Sequence, residues 1–170
     1  MEAFEFIASF GTVTIENISS GVVIYKQYKS TSSNPLNFQK GRAKCNQDSD
    51  AVSASGFLHM PMPRSEAENQ IYHELVKDKK KNTYLDIAEV QPPTSPRSWK
   101  LKDGTPATWF NWAPGQPGTK SYITMLRDTS DSNTGLWMNS DGTNGRNIVC
   151  TYFLPAYSVN YCSWLRNFED

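Results

Sequence analysis

An α+β domain is predicted for this 170-residue chain, and three observations carry the prediction. Apolar residues at helical spacing occur in two segments, both in the first half. Short runs rich in β-branched and aromatic residues flank them and recur to residue 153. Beyond Ser98 the chain is punctuated by Pro, Gly, Asn and Asp, and no stretch sustains a helix longer than a turn.

Residues 11–28 (GTVTIENISSGVVIYKQY) are broken by Ser19-Ser20-Gly21, which is a hairpin pattern. Residues 36–47 follow Asn34-Pro35; Leu36, Phe38, Ala43 and Cys45 share a helical face, with Gly41 as a weak spot. Residues 56–60 (GFLHM) read as a short strand stopped by Pro61-Met62-Pro63. Ser65 is an N-cap with Glu68 three residues on, a capping box, and Ile71, Tyr72, Leu75 and Val76 form the apolar stripe of a second helix. Residues 83–90 (TYLDIAEV) alternate as a strand does, and Gln91 to Arg97, with three prolines, is a loop. Residues 107–112, 121–127 and 147–153 are further strand candidates. Between them lie Pro114-Gly115-Gln116-Pro117-Gly118 and an Asp/Ser/Asn/Gly-rich region, 128–146. Long irregular loops in a compact domain are usually functional or disordered.

Composition excludes several function classes. At 38% apolar and 12% aromatic the chain can build a single core, and 17 basic residues balance 17 acidic ones. No basic stripe points to nucleic acid, and Lys77 to Lys81, interrupted by Asp78, read as a solvated helix end. No apolar run approaches a membrane span, so membrane insertion is not expected. Met1 to Phe10 carries Glu2 and Glu5 without a basic leader, so it does not read as a signal peptide; a processed chain or a fragment would look the same. The three cysteines, at 45, 150 and 162, form no Cys-x-x-Cys pair and lie far in sequence from His59 and His73, which argues against a zinc site. No Gly-x-Ser-x-Gly elbow, P-loop or dinucleotide fingerprint is present, and an enzyme is not expected. Asn17-Ile18-Ser19 is a glycosylation sequon.

In order and spacing these segments resemble the C-type lectin-like family over about residues 20–153 of a single domain, 1–170. LNFQKGRAKC resembles the end of the family's first helix with its first core cysteine, Cys45. SEAENQIYHEL resembles the second helix, and YLDIAEV the Trp-Ile-Gly-Leu strand. DGTPATWFNWAPGQP is the most specific segment; GLWMNSDG resembles the Trp-Asn-Asp strand and NIVC the closing strand, with Cys150. The resemblance implies a C-type-lectin-like fold of two helices, a small antiparallel sheet and a loop-rich second half, closed by a Cys45–Cys150 bridge. In the chain-entropy model such a bridge contributes ~4–5 kcal/mol, less any strain. The alternative is two unpaired buried thiols.

The departures from the family bear on function. In its sugar-binding members a calcium ion is held by a Glu-Pro-Asn or Gln-Pro-Asp turn, an acidic residue before the next strand, and the Asn-Asp of Trp-Asn-Asp. Calcium takes roughly six to eight oxygens, several from carboxylates. Here the turn reads Gln116-Pro117-Gly118, the acidic position falls at Lys120, and Trp137 is followed by Met138 and Asn139. An alternative register uses Asn139 and Asp141. Calcium is therefore not expected, and neither is any other cofactor. The family's inner disulfide is absent as well, since its positions fall near Tyr122 and Gly142; packing of Trp137 and Tyr122, or mobility, is expected there instead.

The resulting expectation is an extracellular or secreted recognition and adhesion module. It would bind a protein, glycan or surface ligand through the loops 109–120 and 128–146 without calcium, with Trp109, Asn111, Gln116, Lys120, Asn139 and Asp141 as candidate ligand-binding residues. A calcium-dependent carbohydrate-binding lectin with an altered site and a structural or matrix component are the alternatives. Trp112 and Trp137 are expected in the core, Trp109 in the core or on its rim, and Asp128, Asp131 and Asp141 as solvated carboxylates. Cys162 is the odd thiol, either docked on the domain with its apolar neighbours or linking a homodimer.

Overall fold

The computed structural model describes residues 14–18, 21–51, 58–78, 81–93, 95–127 and 135–155. Its elements in chain order are β1 (Thr14–Ile18), β2 (Gly21–Tyr28), α1 (Phe38–Ala51), α2 (Glu66–Val76), β3 (Thr83–Glu89), β4 (Trp99–Leu101), β5 (Tyr122–Met125), β6 (Trp137–Ser140) and β7 (Ile148–Pro155). They form two antiparallel sheets, ordered β1-β2-β7 and β4-β3-β5-β6. The α+β class expected from the sequence, with two helices and antiparallel sheets, is what the structure has. Among the described residues no helix is long and apolar enough to cross a membrane.

The first hairpin forms as its turn residues predict, with Ile18 opposite Gly21. The face of α1 differs from the expected one: Phe38, Gly41, Cys45 and Ser49 are buried and Ala43 is exposed. Leu36 is buried, but it precedes the helix. Gly41 is no weak spot. A Cβ there would fall 2.4 Å from Cδ1 of Ile148, so the missing side chain lets α1 lie directly on β7. Ser49 Oγ accepts the Leu58 amide at 2.7 Å and lies 3.0 Å from the Leu58 carbonyl, tying Leu58 to the helix. Of the strand expected at 56–60, the described part forms only an isolated bridge, His59 to Thr151.

α2 starts where its cap predicts, with Ser65 Oγ accepting the Glu68 amide at 3.2 Å. The Glu68 carboxylate returns one residue earlier than in a capping box, accepting the Arg64 amide at 2.8 Å. Tyr72, Leu75 and Val76 are buried and Ile71 is half-buried. β3 is buried on both faces, which its alternation does not predict. Leu85 and Ile87 enter a cluster with Val76, Ile123, Met125, Trp137 and Val149. Tyr84 enters a second cluster with Phe38, Met60, Ile148 and the two cysteines. Asp86 is on the Tyr84 face and is fully buried. Its Oδ1 accepts the Arg42 Nε–H at 2.8 Å, and burial still pushes the Asp86 pKa up against the pull of that guanidinium.

Cys45 and Cys150 are joined, with 5.1 Å between their Cα atoms and a sequence separation of 105. Asn17 lies in β1 opposite Val22, while Ser19 of its sequon is outside the described residues. Cys162 and its apolar neighbours, and Asp128 and Asp131, are also outside them. Replacing both bridge cysteines by Ala is expected to lower unfolding free energy by up to about 4–5 kcal/mol. Urea denaturation of the variant against the oxidised parent measures this. A loss below about 1 kcal/mol contradicts the cross-linking account of the fold.

Candidate functional site

The site is built on β6, which carries Trp137 and Asn139 at its buried positions. Trp137 is 0% exposed, and its Nε1 donates to Oδ1 of Asn69 on α2 at 2.7 Å. The segment 107–112, expected as a strand, runs irregularly over this indole. It carries one bridge, the parallel one from Trp112 to Trp137, and its first residue, Ala107, donates its N–H to the Trp99 carbonyl at 2.9 Å. Trp137 N–H donates to the Asn111 carbonyl at 2.7 Å, and Ala113 N–H to the Trp137 carbonyl at 2.8 Å. Trp109, Phe110 and Trp112 meet Trp137 edge-on, at centroid distances of 5.3, 6.3 and 6.1 Å. Phe110 and Trp112 stack on each other 5.5 Å apart. All of these but Trp137 are half-buried, so Trp112 is a rim residue rather than the core residue expected. The rings serve one central indole, and an irregular chain brings more of them to it than alternation along a strand allows. Asn111 Nδ2 donates to the Gly135 carbonyl at 3.0 Å, which ties Gly135 to this aromatic floor.

Beyond the floor comes the turn with the cis Gln116–Pro117 bond. The side-chain oxygen of Gln116 accepts the amides of Gly118 at 3.2 Å and Asn139 at 3.1 Å. Asn139 Oδ1 also accepts the Gly118 amide, at 2.8 Å, and its Nδ2 donates to the Lys120 carbonyl. Gln116, Asn139 and the backbone of Lys120 are thus together, as the sequence suggests, while the Lys120 side chain is exposed. Asp141 takes a different role. Its Oδ1 accepts from the Thr143 amide and hydroxyl and from Asn144 Nδ2, so it closes an exposed turn. The Thr143 amide, above all, holds its pKa below the ordinary value.

The residue that organises the turn is one the sequence reading did not select. Arg97, at the end of the proline-rich loop, donates through Nη1 to the Gly118 carbonyl and through Nη2 to the Lys120 carbonyl at 2.7 Å. Its Nε donates to Oε1 of Glu89 at 2.5 Å, and Ser121 Oγ donates to Oε2 of the same carboxylate at 2.9 Å. The Arg97 guanidinium also lies 4.9 Å from the ring centre of Trp99. It therefore ties β3, β4 and the 116–120 turn together. The Arg97 hydrogen bond holds the Glu89 carboxyl below its usual pKa. The sequence signal was faint: an acidic residue ending a strand and an Arg closing the loop after it.

Where the family's inner disulfide would fall, the Tyr122 ring lies over Gly142. A Cβ at Gly142 would meet Tyr122 Cδ2 at 2.4 Å, and φ there is +80°. Phe38 covers the same tyrosine at 4.3 Å between centroids. Ring-on-glycine packing by Tyr122 thus occupies this position, whereas Trp137, the other residue expected to hold it, packs in the other cluster.

Because Glu89 has a lower pKa folded than unfolded, its stabilising contribution is complete above the ordinary glutamate range. It is lost as pH falls through the folded value. Arg97→Gln removes the main cause, so the variant is expected to be about 2 kcal/mol less stable at pH 7, as for loss of charge-assisted hydrogen bonds. The gap to the parent should narrow as pH falls below the ordinary glutamate range. Urea denaturation across that range reads both, and an unchanged gap at low pH contradicts the assignment.

No protein-family model matches the chain. It is 25% identical over 116 residues to collectin-43 of Bos taurus, covering 66% of this chain and 34% of the relative. It is 31% identical over 113 residues to pulmonary surfactant-associated protein D of Sus scrofa, covering 66% and 29%. The chain thus spans about a third of the length of the curated relatives it matches. Its fold superimposes on the C-type lectin CEL-I of Cucumaria echinata with a TM-score of 0.59 at 13% identity, covering 81% of this chain and 93% of that one, and on human lithostathine with a TM-score of 0.61 at 13% identity, covering 82% and 97%.

Proposed function

Since the chain is a C-type lectin-like domain by its fold, we propose that it is an extracellular recognition module. It binds a protein or glycan ligand on a surface through the aromatic floor and the 114–120 turn, and it does so without calcium. It is a binding module rather than a catalyst.

One observation carries the reading: the turn is closed by the protein's own hydrogen bonds. The oxygens of Gln116 and Asn139 accept backbone amides, and the carbonyls of Gly118 and Lys120 accept from Arg97. A calcium ion needs roughly six to eight oxygens, several of them carboxylate. These donors do not fit it. An ion there would displace the amides and approach a fixed guanidinium, a repulsive arrangement even at high effective dielectric. The altered calcium site would need Asp141, whose Oδ1 already serves Thr143 and Asn144. The Cys45–Cys150 bridge supports an oxidising, extracellular setting.

Thermal melts in millimolar calcium and in chelator are expected to coincide. Ligands captured on a glycan array, or from an array of surface proteins, are expected to be retained in chelator. A large calcium-induced rise in melting temperature, abolished by Gln116→Ala, contradicts the reading and favours a calcium-dependent lectin. No capture on either array favours a structural component.

A further inference from the structure

We infer that the recognition surface includes a specific subsite for an acidic saccharide, in the cleft between α1, β4 and the 118–122 segment. The inference rests on the recognition reading above and names a ligand class for it. The cleft has a volume of about 450 Å³. Its base follows from sheet register. Lys100 on β4 pairs with Ala88 on β3, and Ala88 pairs with Tyr122 on β5. Residues directly opposite one another in adjacent strands project to the same face. Lys100 and Tyr122 thus stand about 10 Å apart, two strand spacings, with only a methyl group between them. Gln39 and Arg42 of α1 line one side, and Lys120 lines another.

The charges are distributed unequally in availability. Of the five charged residues lining the cleft, three are cations: Arg42, Lys100 and Lys120. Of the two carboxylates, Glu89 is paired with Arg97 and Ser121, while Asp141 is exposed and engages Thr143 and Asn144 through Oδ1 alone. Arg42 is anchored by buried Asp86 and rests 4.8 Å from the Phe38 ring centre, so its position is fixed. Lys100 and Lys120 are exposed, and their amines make no hydrogen bond or ion pair with any described residue. The Lys120 backbone is nonetheless held in place by Arg97 and Asn139. The cleft therefore offers two free ammonium groups against one exposed carboxylate, that of Asp141, which favours an anionic ligand.

The rest of the lining separates a saccharide from an acidic peptide. Peptide recognition draws on apolar pockets for anchoring side chains. Among the described residues the apolar contributions here are Ala88 and the Tyr122 ring, and the remaining neutral ones are the amides Gln39 and Gln91 and the hydroxyls Thr119 and Ser121. Amides and hydroxyls can both donate to and accept from sugar hydroxyls, while the lysines take a sulfate or carboxylate.

The test is calorimetric titration of the intact protein with four probes: a heparin-derived hexasaccharide, hexagalacturonate, neutral maltohexaose and hexaglutamate. One or both acidic sugars should bind, identifying sulfate or carboxylate as the recognised group, and the affinity should fall as salt rises. Maltohexaose and hexaglutamate should bind at least tenfold more weakly. Lys100→Gln/Lys120→Gln should weaken the acidic sugar at least tenfold with an unchanged melting temperature, since both side chains are exposed. Failure of both acidic sugars to bind, equal binding by the double variant, or equal binding of hexaglutamate overturns the inference. If the parent and the double variant capture the same ligand equally on the arrays, the recognition reading stands and this subsite does not. If neither captures any ligand, both fall.

Discussion

Helix α1 lies on β7 so closely that a methyl group at Gly41 would fall 2.4 Å from Ile148. One turn further along that face, Cys45 is bonded to Cys150. Much of the molecule hangs on this seam. β7 belongs to the β1-β2-β7 sheet, and the other sheet reaches it by a parallel bridge from Thr83 to Asn147. Phe38, Met60, Tyr84 and Ile148 fill the space around the disulfide, so α1 and both sheets share one core there. Tyr84 and Leu85 then face opposite ways into the two clusters, which is why β3 has no solvent face. A domain with so much irregular chain forms few regular ladders, and a cross-link spanning 105 residues restricts its unfolded state most where ladders are scarce.

Farther from the seam, the loops are held by small numbers of strong contacts. Arg97 is the clearest case. A guanidinium has five N–H donors in a plane and cannot lose its charge, so it can bind two carbonyls and a carboxylate at once. Oxygen atoms of the 116–120 turn that would otherwise need water or an ion are satisfied from inside the chain. Tyr122 over Gly142 does the corresponding work on the other side of the site, where only a residue without a side chain leaves room for the ring. The positive φ at Gly142 suits glycine for a second reason.

These interactions differ in how far the sequence announces them. The start of α2 is legible because Ser65 and Glu68 act within four residues of each other, though the glutamate turned out to serve Arg64. The first hairpin is legible for the same local reason. The face of α1 was half legible. Apolar character marks Phe38 and Cys45 and also Ala43, while burial follows the Gly41 and Ser49 positions that touch β7 and Leu58. The segment 107–112 looked like a strand because aromatics have strand propensity. The same rings suit an irregular wrap around Trp137, a partner that lies about 25 residues away and cannot be read from local pattern. Arg97, Glu89 and the Arg42–Asp86 pair are joined by tertiary placement alone, so composition counts their charges without showing which are spent.

That last distinction governs what the surface can do. The chain's formal charge is zero, yet balance over a sequence says nothing about balance at a site. Asp86 and Glu89 are directed inward and each holds an arginine, one fixing α1 to β3 and the other fixing the 116–120 turn. Acidic residues used in this way stabilise the scaffold but neutralise little of the field at the exposed ends of Lys100 and Lys120. The same bonds also make the backbone beneath Lys120 rigid before any ligand arrives. A partner that meets this surface therefore has fewer backbone degrees of freedom to freeze than it would on an unbraced loop, and more of its contact energy remains as affinity. The ion pairs that brace the fold and the cations that face solvent are two parts of one arrangement, because the carboxylates cannot serve both.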